Sequence, residues 1–152
     1  MYWGCIKNSM AIASNLNRFL DAQASVYKSV LAELKDGRKR THWMWFVFTQ
    51  IDGLGSSETA QHFAIQDSAE AITYLEHPVL GARLAECANT VLSIEGRSAN
   101  DIFGYSDDLK LRSSMTLFDH VSNEPESVFV RVLEKYYEGA RCPLTLQQLG
   151  VS

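Results

Sequence analysis

The chain has 152 residues, 46% of them hydrophobic, which is enough apolar surface for a single core of ordinary domain size. A charged share of 21% and three prolines exclude a disordered or collagen-like chain. The net charge of -4 argues against a protein coated for nucleic acid, though a local basic patch stays open.

The cysteines, Cys5, Cys87 and Cys142, are odd in number and widely spaced, with no CxxC pair. A disulfide framework or structural zinc is therefore not expected, and free thiols suit a reducing compartment. No stretch approaches the ~20 apolar residues of a membrane span. The N-terminus lacks the apolar run of a signal peptide. The chain reads as cytoplasmic, with no membrane partner. Residues 1–14 read as a loose extension, with Met10 as an alternative start, and residues 15–152 as one domain.

Leu16, Leu20, Gln23, Tyr27, Val30, Leu31 and Leu34 recur at steps of three and four, predicting an amphipathic helix over 16–36. Asn15 or Asn17 can cap its start, and Gly37 provides its left-handed stop. The basic run Arg38-Lys39-Arg40 then leads through Thr41 and His42 into Trp43-Met44-Trp45-Phe46-Val47-Phe48. Aromatic and β-branched content alone favours a strand there. The helical surroundings favour a buried helix from Thr41 to about Ile51, broken by Asp52-Gly53-Leu54-Gly55. Residues 42–48 are expected to be the most buried of the chain.

Ser56 or Ser57 with Glu58 opens a short helix through Phe63. Asp67 or Ser68 caps the next, which ends near Glu76 ahead of Pro78. A helix over Val79–Ser93 follows, with Leu80, Leu84, Cys87, Ala88 and Val91 inward. Ser98 caps Ala99–Phe103, and Ser106 caps Asp107–Val121, whose paired acids suit the positive helix end. Pro125 starts the last long helix, with Val128, Val132, Leu133 and Tyr136 as its stripe and Gly139 as its stop. The expected fold is all-α, a compact bundle of short helices.

Two clusters carry possible chemistry. In the first, Arg38, Lys39 and Arg40 stand beside His42, Trp43 and Trp45. Guanidinium groups and first-turn N–H groups attract phosphate, and an indole or guanidinium stacks on a base. The alternative is a solvated basic turn ahead of a core helix. Indoles two apart face different sides, so at most one lines a pocket. Equally, a three-residue cationic run turning into a helix must point its side chains in different directions.

In the second cluster, Lys110 and Arg112 stand among Ser113, Ser114 and Thr116. Asp108 and Arg112 are placed for an i,i+4 pair worth about 0.2–0.5 kcal/mol. The hydroxyls either line a polar cavity or allow close helix approach. His42, His62, His77 and His120 share no metal spacing. There is no GxSxG, GxxxxGK[ST] or GxGxxG, so neither a nucleophile elbow nor a cofactor loop is expected and no cofactor is assigned.

The run GRKRTHWMWFVFTQIDGLG, with RFLDAQ upstream and YLEHPVLGARL and DDLKLRSSMTLF downstream, resembles a bacterial family known as domain of unknown function 1810. Some of its members carry the label calpastatin. The resemblance covers about residues 16 to 140 and implies a mainly helical fold; Thr49 stands where the family usually has Pro. More distantly, Ser98-Ala99-Asn100-Asp101-Ile102-Phe103-Gly104 and the early Ala22-Gln23 are similar to YbiA-like NADAR proteins, which act on N-glycosidic or ADP-ribose-linked substrates. Asn17 falls near that family's acidic residue, and Phe103 replaces its Trp.

The expected function is binding of an anionic, nucleotide-like or ADP-ribose-like small molecule by Arg38, Lys39, Arg40, Trp43, Lys110 and Arg112. Were the chain an N-glycosidic hydrolase, Asp101 would stabilise an oxocarbenium-like centre and His42 would move the proton. The rival is a non-catalytic protein–protein interaction domain. RNA binding through residues 38–40 is weighed down by the acidic net charge. Convergence of Lys110 and Arg112 with the 38–43 segment on one concave surface separates these readings.

Overall fold

The structure, a computed structural model, describes residues 16–151. The expected extension at 1–14, the start at Met10, the Asn15 cap and Cys5 lie outside the described residues. The fold is all-α: among the described residues there is no sheet, only a parallel bridge between Ile51 and Ile65.

The long helix expected over 16–36 is two. Residues 16–24 form α1, and Tyr27–Lys35 forms α2. Ser25 and Val26, both modest helix formers, take the turn between them, and the Val26 N–H bonds the Gln23 carbonyl instead of continuing the ladder. Asn17 sits inside α1 rather than capping it. Gly37 does stop α2 in the left-handed region, at φ +75°.

The helix expected from Thr41 to Ile51 shrinks to one turn, α3, Met44–Val47. Beyond it the chain is extended, with Ile65 N donating to the Gln50 carbonyl and Asp52 N to the Ile65 carbonyl, each at 2.8 Å. The strand that the composition of 43–48 favours does not form there: Met44–Val47 is helical and the extended chain begins after it. Trp43, Met44, Val47 and Phe48 are buried as expected, but Trp45 and Phe46 are half-buried and His42 is exposed.

Later boundaries follow their caps. Ser57 and Asp67 accept from the third N–H of α4, Glu58–His62, and of α5, Ser68–Glu76. Then come α6, Leu80–Ser93, and α7, Ala99–Phe103, which carries a Ser98–Asp101 capping box. Next is α8, Asp107–Val121. Ser127, not Pro125, caps α9, Val128–Tyr137. An unexpected last helix, α10, spans Pro143–Leu149, bracketed by Pro at its start and Gly150 at its end.

Helix α8 is the centre. It packs against α5, α7, α9 and α10, while α6 packs on α2, α5 and α9. Leu111, Met115, Leu117 and Phe118 fill the core around it. Ser113, Ser114 and Thr116 are buried too, so the middle of α8 is covered on most sides and its small hydroxyl side chains let neighbours approach closely. Close approach also fixes Gly81, where a Cβ would stand 2.0 Å from the Leu75 carbonyl oxygen.

Candidate functional site

The 38–43 turn is organised by Glu33 of α2, which is only 7% exposed. Its Oε1 accepts from Arg40 N at 2.6 Å, Thr41 N at 3.0 Å and Trp43 Nε1 at 3.0 Å; its Oε2 accepts from the Thr41 hydroxyl at 2.6 Å. Burial pushes the carboxyl up, but those donors outweigh it and hold it down at about 2. Trp43, 1% exposed, is thereby a core residue, tilted against Phe48 and edge-on to Phe103. It is not the pocket indole that the sequence suggested.

The three cations diverge. Arg38 is exposed, and Arg40 is exposed and paired with Asp36. Lys39 turns inward, its side chain 8% exposed, and its Nζ meets Asp107 Oδ2 at 2.9 Å. Asp107 Oδ1 takes Lys110 Nζ at 3.0 Å, so one carboxylate joins the two basic clusters. Partial burial raises the Asp107 carboxyl, and hydrogen bonds and charge from Lys39 and Lys110 more than reverse this.

Lys110 in turn lines a cleft of about 260 Å³ with Trp45, Gln50, Leu54, Gly55, Ser106, Leu109, Arg112, Ser113, Cys142 and Leu144. The Lys110 ammonium lies 4.4 Å from the Trp45 ring centroid and donates to Ser106 Oγ at 3.2 Å. Ser106 thus holds a lysine rather than capping α8. A smaller void of about 10 Å³, room for one water, shares Trp45, Gln50 and Gly55 with the cleft.

Ser106, Leu109, Lys110 and Ser113 fall at i, i+3, i+4 and i+7, a single face of α8. Arg112 stands at its edge. The expected pair with Asp108 is not formed: Asp108 accepts instead from Leu109 N at 2.9 Å and Asn100 Nδ2 at 3.4 Å. Arg112 makes no ion pair among the described residues, and its buried Nε–H has no acceptor.

Of the expected site residues, then, Lys110 and Arg112 line the cleft and Lys39 reaches it through Asp107. Arg38, Arg40, His42 and Trp43 do not line it. Asp101 does not either: its carboxylate accepts from Ser98 N at 2.9 Å in the capping box. That bond, ahead of the Ser98 hydroxyl, holds the Asp101 carboxyl below the ordinary range. The serine-rich segment answers to both alternatives, since Ser113 lines the cleft while Ser114 and Thr116 sit in helix packing.

Sequence reasoning missed Cys142, whose Sγ receives the Ser113 hydroxyl at 3.2 Å and whose N–H donates to Thr116 Oγ1 at 3.0 Å. Its only signal was Pro143 following it, the mark of a helix start. Among the described residues no three His, Cys, Asp or Glu side chains gather to hold a metal ion. Nor is any helix among them long and apolar enough to cross a membrane.

No curated protein matches the chain. Among solved structures, the conserved hypothetical protein Rv1873 from Mycobacterium tuberculosis is similar. It is 51% identical with a TM-score of 0.88, over 91% of this chain and 98% of that one. The family described as "Protein of unknown function (DUF1810)" matches residues 13–149. Matched over nearly its whole length, the chain belongs to the DUF1810 family.

Proposed function

We propose that the cleft between α8, the Trp45–Gly55 segment and the start of α10 binds a small anion with a planar or apolar body, of mononucleotide size. The observation that carries this is Arg112, a guanidinium lining the cleft with a buried Nε–H and no acceptor among the described residues. A guanidinium that lines a cleft without a counter-charge favours an anion there. Asp107 is shared between Lys39 and Lys110, so positive charge is in excess beside Arg112. Lys110 covers part of the Trp45 ring. The body of the ligand would therefore meet the rest of the indole with Leu54, Leu109 and Leu144.

A cleft of about 260 Å³ lies just below the ~300–1,000 Å³ of drug-sized sites, which favours a mononucleotide or sugar phosphate over ADP-ribose. Hydrolysis through Asp101 and His42 draws no support from the cleft, whose lining includes neither. A specific observation does favour the interaction-domain alternative: Leu144 and Leu109, which line the cleft, and nearby Tyr105 are exposed.

Thermal unfolding at low salt against nucleoside monophosphates and sugar phosphates tests the proposal. A ligand at 100 times its Kd stabilises the fold by about 2.7 kcal/mol. The shift should fall with added salt. It should vanish in Arg112→Ala and return partly in Arg112→Lys, which keeps the charge but loses the forked grip. Absence of any shift, on folded protein at low salt, overturns this reading in favour of the interaction domain.

A further inference from the structure

Cys142 is a thiol in a setting that its companion Cys87 lacks. Both are buried, but Cys87 sits in the apolar core among Leu84, Ala88 and Val91. Burial pushes its thiol up to about 12. Cys142, 5% exposed, lines the cleft that Arg112 and Lys110 also line. Burial raises its thiol as well, but hydroxyls of Ser113 and Thr145 and the N–H groups of Thr145 and Leu144 outweigh it and hold the thiol below its ordinary value.

One observation independent of the sulfur points to an anion beside it: Arg112 lines the same cleft with no ion pair among the described residues, and its buried Nε–H has no acceptor. The fully buried Thr145 hydroxyl serves the sulfur itself. A thiolate needs donors on its sulfur, and an anionic electrophile needs a cation beside the nucleophile. Ser113, Cys142 and Arg112 line one cleft.

From this cluster we infer that Cys142 is a nucleophile toward small carboxylate- or phosphate-bearing electrophiles, with Arg112 guiding the anion. This rests on the anion-binding reading of the cleft. In the simplest such step, the sulfur attacks the methylene carbon of iodoacetate, a C–S bond forms, the C–I bond breaks and iodide leaves. The thiol proton passes to solvent.

The experiment is site-resolved alkylation of the folded chain with iodoacetate and, separately, neutral iodoacetamide, read by peptide mass spectrometry. Glutathione provides the free-thiol reference, and Cys5 and Cys87 are read on their own peptides. At Cys142 the iodoacetate-to-iodoacetamide rate ratio should exceed that of glutathione by roughly tenfold at low salt, the lower end of what a charged cleft gives. The excess should shrink with salt. It should disappear in Arg112→Met and survive in part in Arg112→Lys, each checked for native circular dichroism.

The rate of iodoacetate labelling should reach its half-maximum below the pH of an ordinary thiol, about 8.5. Cys142 that stays unlabelled while the chain is folded overturns the inference. So does labelling with the glutathione ratio, or a ratio that Arg112→Met leaves unchanged. Nucleotide shifts on Cys142→Ser separate the two proposals. A retained shift without anion-selective alkylation of the natural chain sinks the nucleophile alone. Anion-selective alkylation with no nucleotide shift sinks the mononucleotide reading alone.

Discussion

Glu33→Gln is the sharpest test of how the turn at 38–43 is held. Three of the four hydrogen bonds on this carboxylate end on Oε1, and only the Thr41 hydroxyl reaches Oε2. Glutamine with its oxygen in the Oε1 position keeps those three as neutral bonds, and the Thr41 hydroxyl can turn to accept from the new amide. What is lost is charge assistance, about 1 kcal/mol per bond and less than additive, or about 2–3 kcal/mol in all. The carboxyl's pKa provides a second route to the magnitude. A fall from 4.5 to about 2, at about 1.36 kcal/mol per unit, gives roughly 3 kcal/mol.

The sign follows from linkage. A carboxyl depressed on folding stabilises fully above its unfolded value near 4.5 and loses that contribution as pH falls toward 2. Urea unfolding of both proteins from pH 7 to pH 2.5 should show a gap of about 3 kcal/mol that narrows steadily below pH 4.5, with equal m-values. Glu33→Ala should cost more, since the buried Trp43 indole N–H then has no acceptor. A Glu33→Gln cost under about 0.5 kcal/mol at pH 7, or a gap that does not change with pH, would refute this account of the turn.

Gly81→Ala should destabilise by about 1–3 kcal/mol or more, because its Cβ meets the rigid Leu75 carbonyl; thermal unfolding measures this. Thr49→Val should stabilise by about 1 kcal/mol in denaturant unfolding, since the Thr49 hydroxyl is fully buried without a partner among the described residues. Phe48→Ala should cost about 3–5 kcal/mol, as Phe48 is fully buried between Trp43 and Phe103. Phe46→Ala should cost clearly less, because Phe46 is half-buried; equal costs in the same titration would contradict the burial pattern of the segment.

Much of the helical frame was legible because caps and stops act locally. Ser98, Asp67 and Gly37 need only their own neighbours to do their work, and they sit where the sequence placed them. The 41–51 segment was not legible, because its conformation is set from far along the chain. Glu33 takes the N–H groups of Arg40 and Thr41, and in the extended stretch after Phe48 the Ile65 carbonyl takes the Asp52 N–H while the Ile65 N–H donates to the Gln50 carbonyl. Neither partner shows in local periodicity. α10 is hidden for a different reason. Gly139 reads as an end, and Pro143-Leu144-Thr145-Leu146 is too short a run to show a helical period.

The basic cluster was half legible, and the physical reason bears on which residue matters. Composition shows five cations in Arg38, Lys39, Arg40, Lys110 and Arg112 but not which already have an anion. Arg40 has Asp36, while Lys39 and Lys110 share Asp107. A ligand anion reaching Lys110 must compete with a carboxylate held at 3.0 Å, so its net gain there is small. At Arg112 no protein carboxylate competes among the described residues, because Asp108 has turned to Leu109 N and Asn100. The expected i,i+4 pair would have cancelled the charge that the cleft presents. Its absence makes Arg112, rather than the more conspicuous Arg38-Lys39-Arg40 run, the residue on which anion binding should depend.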